Sequence, residues 1–495
     1  MEARGYVHAL VDEGSANGRT VVLEPVDVRP LSLKVPTPTA EYRSQRKLMR
    51  AAVGAAVPPI PQPLPVPVPV VRGSRVLIWK QDPTVGEIGI RKAYLPGLTL
   101  SGPKDSRIVI QGLPAVNANA LGDFIETPGT DAFDAVHTYA IVRSTLTLFQ
   151  RALSKPGSPV APVPWQWNSA TNAVPLKVLP HASNMMNAFY SRNQQALQFG
   201  FFNRPGPPPN PLVFTCRSLD IVAHETGHAI LDGLKPNWIL ANNPPQTGGL
   251  HESFGDLTAI FLALSQLDQV EAVIAQTRAN LHDKTFLADL AEQFGLALGR
   301  PNGLRNADND FKLSQTGNEV HAISQVFTGA IYDILADIFA AERSSARRDD
   351  AIVLYEVSQY LFGLVLRAII AAPATGATYA SVANQMLTIS AADGKPASYR
   401  TFIRNRFTLR EVIVSSTPLA ANGNSDVDSA AAFAPGVEDE PGVEQNRSSC
   451  CGTMQSAEFN GAEAALEDEI AEFLKALAAD GDAGKTRSGK SKGNR

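Results

Sequence analysis

Two histidines and a glutamate stand close together at His224-Glu225-Thr226-Gly227-His228. In a helix, positions i and i+4 lie one turn apart on one face, so both imidazoles reach a single metal ion. Zinc suits them, being a borderline ion that favours nitrogen ligands and tetrahedral geometry. Glu225 follows the first ligand and can be aimed at a metal-bound water as its base. With 8 histidines in 495 residues, chance produces this pattern in roughly one such chain in a hundred. Apolar flanks (Ile221, Val222, Ala223, Ala229, Ile230, Leu231) suit a packed helix better than a solvent-facing pair of histidines.

A catalytic zinc needs a third protein ligand and an open position. Downstream the chain reads GGLHESFGDLTAIF at 248–261, with Glu252 24 residues after His228. Glu252 sits on the next helix candidate and can supply that ligand. Asp256, one turn on, can hold a ligand histidine through its free ring nitrogen. The Gly-rich entry and the apolar continuation (Leu257, Ile260, Phe261) favour a buried helix, where an unpaired carboxylate is costly. His251 is the weaker alternative ligand and is expected to point off the metal face.

The elements around these residues fall into two stretches. Residues 75–81 and 107–112 read as strands, 131–153 as a helix of helical apolar period, and 163–190 as short strand-like pieces. From about 216 the chain reads helical, with candidates at 218–234, 251–268, 270–297, 321–343, 351–371, 378–391 and 399–414. A β-rich half followed by a helical half predicts an α+β enzyme with its cleft between lobes. The domain reading is a 1–74 arm with a Pro-rich spacer at 57–70, a 75–217 β-rich lobe, a 218–414 helical lobe, a 415–460 linker, and 461–495, a helix with a basic tail.

Composition excludes other classes. Hydrophobic residues make up 44% and charged residues 19%, so most of the chain can bury a core and is not disordered. A net charge of −4 argues against nucleic acid or anionic membrane as the main partner. No uninterrupted apolar run reaches the 18 or so residues of a membrane span. Cys216, Cys450 and Cys451 make no disulfide framework. The start, MEARGYVHALVDEG, lacks the apolar core of a signal peptide. The default expectation is therefore a cytoplasmic protein; non-classical export would leave no mark here.

Taken together, HETGH and HESFGD resemble the gluzincin pattern of the thermolysin-like neutral metallopeptidases. LDIVAHETGHAI is similar to that family's active-site helix, and Asn187-Ala188-Phe189-Tyr190 to its edge strand. DAVHTYAIVRSTLTLF resembles its Asp-Ala-His helix, Leu304-Arg305 its Leu-Arg pair, and NEVHAISQVFTGAIY its Val-His helix start. The order of the pieces is also the family's, over roughly residues 75–414. The resemblance implies a two-lobed α+β metallopeptidase holding one catalytic zinc on His224, His228 and Glu252, with Glu225 as general base. It further implies that Asn187 and Ala188 bind the substrate backbone as an added strand, His321 stabilises the oxyanion, and Arg305 holds a substrate carbonyl. Ile221 and Leu304 would line an apolar pocket for the side chain after the scissile bond. Read alone, His321 could instead be a helix-start histidine satisfied by backbone, and Arg305 an exposed loop cation.

The chain departs from the family in several places. The gap from His228 to Glu252 is longer. Thr316 stands where an Asp precedes the catalytic His, leaving Glu319, Asp308 or Asp310 as substitutes. No tyrosine lies between His228 and Glu252, and Trp238 cannot exchange a proton in its place. Asp220 matches a calcium carboxylate, but Leu262, Ala263 and Leu264 occupy the partner region, so calcium is doubtful. GKTRSGKS at 484–491 fits a phosphate-loop expression but lacks the flanking strand and helix. It reads as a basic tail with weak affinity for polyanions. The function expected is a zinc metalloendopeptidase acting on peptide or protein. The alternatives are a non-catalytic zinc- or peptide-binding relative and a zinc hydrolase of a non-peptide amide.

Overall fold

The computed structural model describes residues 73–412 apart from 98, 155–161, 168–173, 207–208 and 301–302. All of these lie in the unit that begins at Val71. The arm and spacer before residue 73, Cys450-Cys451, the linker, the last helix and the basic tail lie outside the described residues.

The described chain mixes sheet and helix. Strands β1 (Ser74–Trp79) and β2 (Ile90–Leu95) form an antiparallel pair. A four-stranded sheet joins β3 (Ile108–Ile110), β4 (Leu176–Leu179), β5 (Ala188–Ser191) and β6 (Ala196–Phe199) in the order β3-β4-β6-β5. Only its β5–β6 pair is antiparallel, and the strand order puts β3 and β5 at its two edges. Strands β7 (Phe201–Asn203) and β8 (Leu212–Phe214) pair beyond it. Helix α1 (Asp131–Leu153) falls within this stretch, at the bounds its periodicity predicts. Thr130 caps it by accepting from the Phe133 N–H.

From residue 219 helices dominate. Helix α2 (Leu219–Leu234) carries HETGH, and α3 (Pro245–Leu264) carries HESFGD. The latter starts six residues before its predicted start of 251, because Pro245 at its first position needs no donor. Helices α4 (Leu267–Thr277), α5 (Glu292–Ala297), α6 (Leu313–Thr316), α7 (Val320–Glu342), α8 (Asp350–Ala371), α9 (Tyr379–Ala392) and α10 (Ala397–Leu409) follow. Phe149 makes a tilted ring contact with Phe254 and an edge-on one with Phe362, tying α1, α3 and α8 together.

The continuous helix predicted over 270–297 does not form. Arg278 and Ala279 take left-handed backbone (φ 51° and 62°) and end α4. No glycine or proline announces this break. Tertiary partners impose it: the Tyr332 hydroxyl donates to Leu281 O, and Asp289–Leu290 (β9) pairs with Arg305–Asn306 (β10). Ladder bonds worth about 1 kcal/mol each thereby override local helix propensity, and the hairpin-like pair delivers Arg305 to the site. Helices α7 and α8 are long and apolar enough to cross a membrane by composition, with mean hydropathy 1.3 and 1.4. Their most apolar windows are 83% and 61% buried within the protein. Run length alone missed this, because scattered polar residues interrupt both helices.

Helices α2 and α3 approach so closely that side chains are excluded at two points. A Cβ at Gly255 would stand 2.6 Å from the His224 ring, and one at Gly227 would stand 2.8 Å from Thr258 Oγ1. Both are closer than non-bonded atoms tolerate. Gly255→Ala is expected to lower unfolding stability by about 1–3 kcal/mol, read as a lower urea midpoint. An unchanged midpoint would show that the helices separate at no cost.

Candidate metal centre

Helix α2 presents His224 and His228 on one face, with Nε2 atoms 2.8 Å apart. Helix α3 brings Glu252 opposite them, its Oε2 3.4 Å from His224 Nε2 and 3.7 Å from His228 Nε2. Ligands of a tetrahedral zinc with bonds of about 2.0–2.1 Å stand about 3.3 Å apart, so the three atoms are spaced as one ion requires. Glu225 also lies near the two histidines. Its Oε2, however, accepts the Tyr190 N–H at 3.0 Å, whereas Glu252 Oε2 faces both Nε2 atoms. Glu225 and Glu252 thus both lie beside the two histidines, and the group could hold a metal ion.

Burial supports that fit. His224, Glu225, His228 and Glu252 are each at most 4% exposed. Glu252 Oε2 is fully buried and receives no hydrogen bond. A buried carboxylate oxygen without a donor is costly, and a cation at the convergence point removes that cost. Burial raises the carboxyl pKa of Glu252, but its interactions with His321 and the other imidazoles around it outweigh this and hold it well below the ordinary range. Burial also drives His228 well below the ordinary imidazole value, which keeps it neutral, as a metal ligand must be.

Neighbouring groups orient the cluster. His224 Nδ1 lies 3.0 Å from Asp256 Oδ1, and Arg305 Nη2 donates to the same carboxylate at 2.6 Å. Burial raises the Asp256 pKa, yet the Arg305 charge and the His224 contact leave it lowered overall. Arg305 is thus paired with Asp256 while also lining the neighbouring depression. His321 enters from the start of α7, with Nε2 3.3 Å from Glu252 Oε2. Of the three candidates to replace the missing Asp, Glu319 is the one in contact, 2.7 Å from His321 Nδ1. Glu319 also caps α7, accepting the His321 and Ala322 N–H groups. Thr316 instead hydrogen-bonds Leu313 O. Trp238 donates to Pro373 O, away from these groups.

Asn187 precedes and Ala188 begins β5, the edge strand of the sheet; both are buried, and Ala188 N–H donates to Asn187 Oδ1 at 2.9 Å. Ala188, Ile221, Leu290, Phe294 and Leu304 line a depression beside His224 and Glu225, with Asp220, Asp256 and Arg305 also in its lining. His251, the weaker alternative ligand in the sequence, packs against His228, with the two Nδ1 atoms 2.7 Å apart. Its place one residue before Glu252 was the only sequence signal for this contact.

Two other groupings could in principle hold a metal: Asp134/His181/Cys216 and His282/Asp308/Asp333. In each, arginine already neutralises a carboxylate, Arg217 at Asp134 (2.8 Å) and Arg410 at Asp333 (2.8 Å). Cys216 is buried, and burial pushes its thiol well above the ordinary value.

No family model matches the chain, and no curated protein matches it. Among solved structures, the precursor of protealysin, a metalloproteinase from Serratia proteamaculans, is similar at 15% identity. The match covers 61% of this chain and 85% of that one, with a TM-score of 0.37.

The surroundings of Asp220 are a finding the sequence did not supply. Asp220 does not cap its helix; its Oδ2 accepts the Ala291 N–H at 3.2 Å. Burial, with Asp82 adding repulsion, raises its pKa to about 8. Burial, with Asp82 and Asp220 adding repulsion, does the same to Glu292. The folded chain therefore keeps protons on these groups that the unfolded chain releases near pH 4. Their stabilising contribution is fully present below about pH 4 and is lost as pH rises towards 8. Between pH 6.5 and 8 His137, His228 and His251, whose values burial lowers, are neutral and add little slope. With divalent cations chelated, the thermal midpoint should fall across that window, and Asp220→Asn should flatten the fall. Equal slopes in the two proteins would refute this.

Proposed function

We propose that the chain is a zinc-dependent metalloendopeptidase with a two-lobed, thermolysin-like catalytic region. The observation that carries this reading is the convergence of His224 Nε2, His228 Nε2 and Glu252 Oε2 at zinc-ligand spacing, with Glu225 beside them. Zinc, when bound there, supplies Lewis acidity and makes water a nucleophile near neutral pH.

The chain's own residues supply the rest. The Tyr190 N–H fixes one oxygen of Glu225, so the carboxylate is held in place to take a proton from the attacking water and return it to the leaving amine. His321, oriented by Glu319, donates to the oxygen that gains charge as the peptide carbonyl is attacked. Asn187 and Ala188, at the sheet edge, would offer main-chain groups to an extended peptide once the Asn187 side chain releases the Ala188 N–H. That edge favours a peptide over a non-peptide amide. Ile221, Leu290, Phe294 and Leu304 give an apolar seat for the side chain that follows the scissile bond.

Two outcomes follow from this assignment. Glu225→Gln should retain one zinc per chain while losing roughly 100- to 10,000-fold of casein cleavage; undiminished cleavage would remove Glu225 from the mechanism. Mapping of cleavage sites on unstructured protein should show Leu, Phe or Val after the cut. Mainly charged residues at that position would contradict the apolar seat.

A further inference from the structure

Helix α2 carries one more buried carboxylate, to which the chemistry above gives no task. Asp232 lies in the last turn of the helix, about two turns past Glu225 and on nearly the same face. It is fully buried, at the end of the helix whose dipole repels negative charge. A carboxylate in such a place is costly unless a cation answers it. Arg192, just past the end of β5, does so. Its Nε donates to Asp232 Oδ2 at 2.9 Å, and its Nη2 donates to Asp232 Oδ1 and to Pro236 O beyond the helix. The Tyr190 hydroxyl donates to Asp232 Oδ2 as well, at 2.7 Å.

Tyr190 therefore meets α2 at two points. Its main-chain N–H donates to Glu225 Oε2 at 3.0 Å, and its hydroxyl reaches Asp232 further along the helix. We infer that Arg192 is a positioning residue for the reaction: through Asp232 and the Tyr190 hydroxyl it sets where the Tyr190 N–H stands, and so where the Glu225 carboxylate is aimed. The inference rests on the peptidase reading of the site.

Strand pairing alone does not fix that position. Strand β5 is at the sheet edge and is held on one side by β6, with Tyr190 opposite Leu197. On the other side its place depends on contacts with α2. A buried ion pair adds little stability over well-packed apolar groups of the same volume. What it adds here is direction. The planar guanidinium fork grips both oxygens of Asp232, and one of those oxygens receives the Tyr190 hydroxyl. A freely turning carboxylate would let the ring, and the main chain behind it, shift along the helix. A base misplaced by about 1 Å costs up to about 100-fold in rate, so a contact two turns from Glu225 can act on turnover.

The test uses the full zinc-loaded chain and an internally quenched peptide with Leu after the scissile bond. Arg192→Met removes the fork at similar length, and Arg192→Lys returns the charge with a donor. Tyr190→Phe removes only the hydroxyl, leaving the ion pair and the ring that stacks on Trp167. Each variant is checked for folding by circular dichroism and for zinc by elemental analysis. Arg192→Met is expected to lose about 10- to 100-fold in kcat, with KM within about twofold of wild type and zinc undiminished. Arg192→Lys should recover kcat to within about threefold of wild type, and Tyr190→Phe should lose about 3- to 10-fold. In the zinc-free chain, hydrogen exchange at the Tyr190 amide should quicken about tenfold in Arg192→Met and stay within about twofold of wild type in Arg192→Lys. Wild-type kcat in folded Arg192→Met, an equal loss in Arg192→Lys, or activity lost in step with zinc would overturn the inference. Should Arg192→Met not fold, Tyr190→Phe decides, and an unchanged kcat there overturns it. Wild type that holds zinc yet cleaves no peptide would overturn the peptidase reading and the inference with it; that failure shows in wild type, the others only in the variants.

Discussion

Burying Glu252 Oε2 among imidazole nitrogens, with no hydrogen bond to it, is the constraint on which the rest of the site turns. A carboxylate in such a place needs a cation or a proton. The spacing of His224, His228 and Glu252 suits a cation, and neighbouring groups lower the pKa of the carboxyl. The close approach of α2 and α3 creates this situation, and glycine at 227 and 255 permits the approach. If those helices moved apart, His224 would lose Asp256, His228 would lose His251, and Glu252 would leave the cluster.

Elements distant in sequence then complete the cluster. The edge strand β5 fixes Glu225 through the Tyr190 N–H. The β9–β10 pair presents Arg305 to Asp256. The first turn of α7 brings His321 with its own orienting carboxylate at Glu319. Each element touches the α2–α3 pair through a polar contact to a group that itself touches the site. The chemistry therefore sits on rigid secondary structure rather than on a loop. Glu319 shows how economical this is, since one side chain both caps the helix and orients the histidine.

How much of this was legible in the sequence depended on range. Helix periodicity and the i, i+4 spacing placed α1, α2 and the face shared by His224 and His228, because these are local properties of the chain. The glycines at 248–249 and the apolar run after Asp256 marked a buried helix for Glu252. The helix drawn over 270–297 failed because the break at Arg278–Ala279 is imposed by Tyr332 and by pairing with β10, partners far along the chain. For the same reason the cluster of Asp82, Asp220 and Glu292 could not be read, since it draws on three separate segments. The contact of His251 with His228 was not legible, because it depends on how closely the helices pack.

The central claim is that His224, His228 and Glu252 jointly hold one zinc ion. Crystallographic anomalous scattering measured on both sides of the zinc absorption edge tests it most directly. The account predicts a single strong peak about 2.0–2.2 Å from His224 Nε2, His228 Nε2 and a Glu252 carboxylate oxygen, with no protein atom in the fourth position. A peak elsewhere, or a fully loaded zinc that leaves Glu252 out of its coordination, would contradict it.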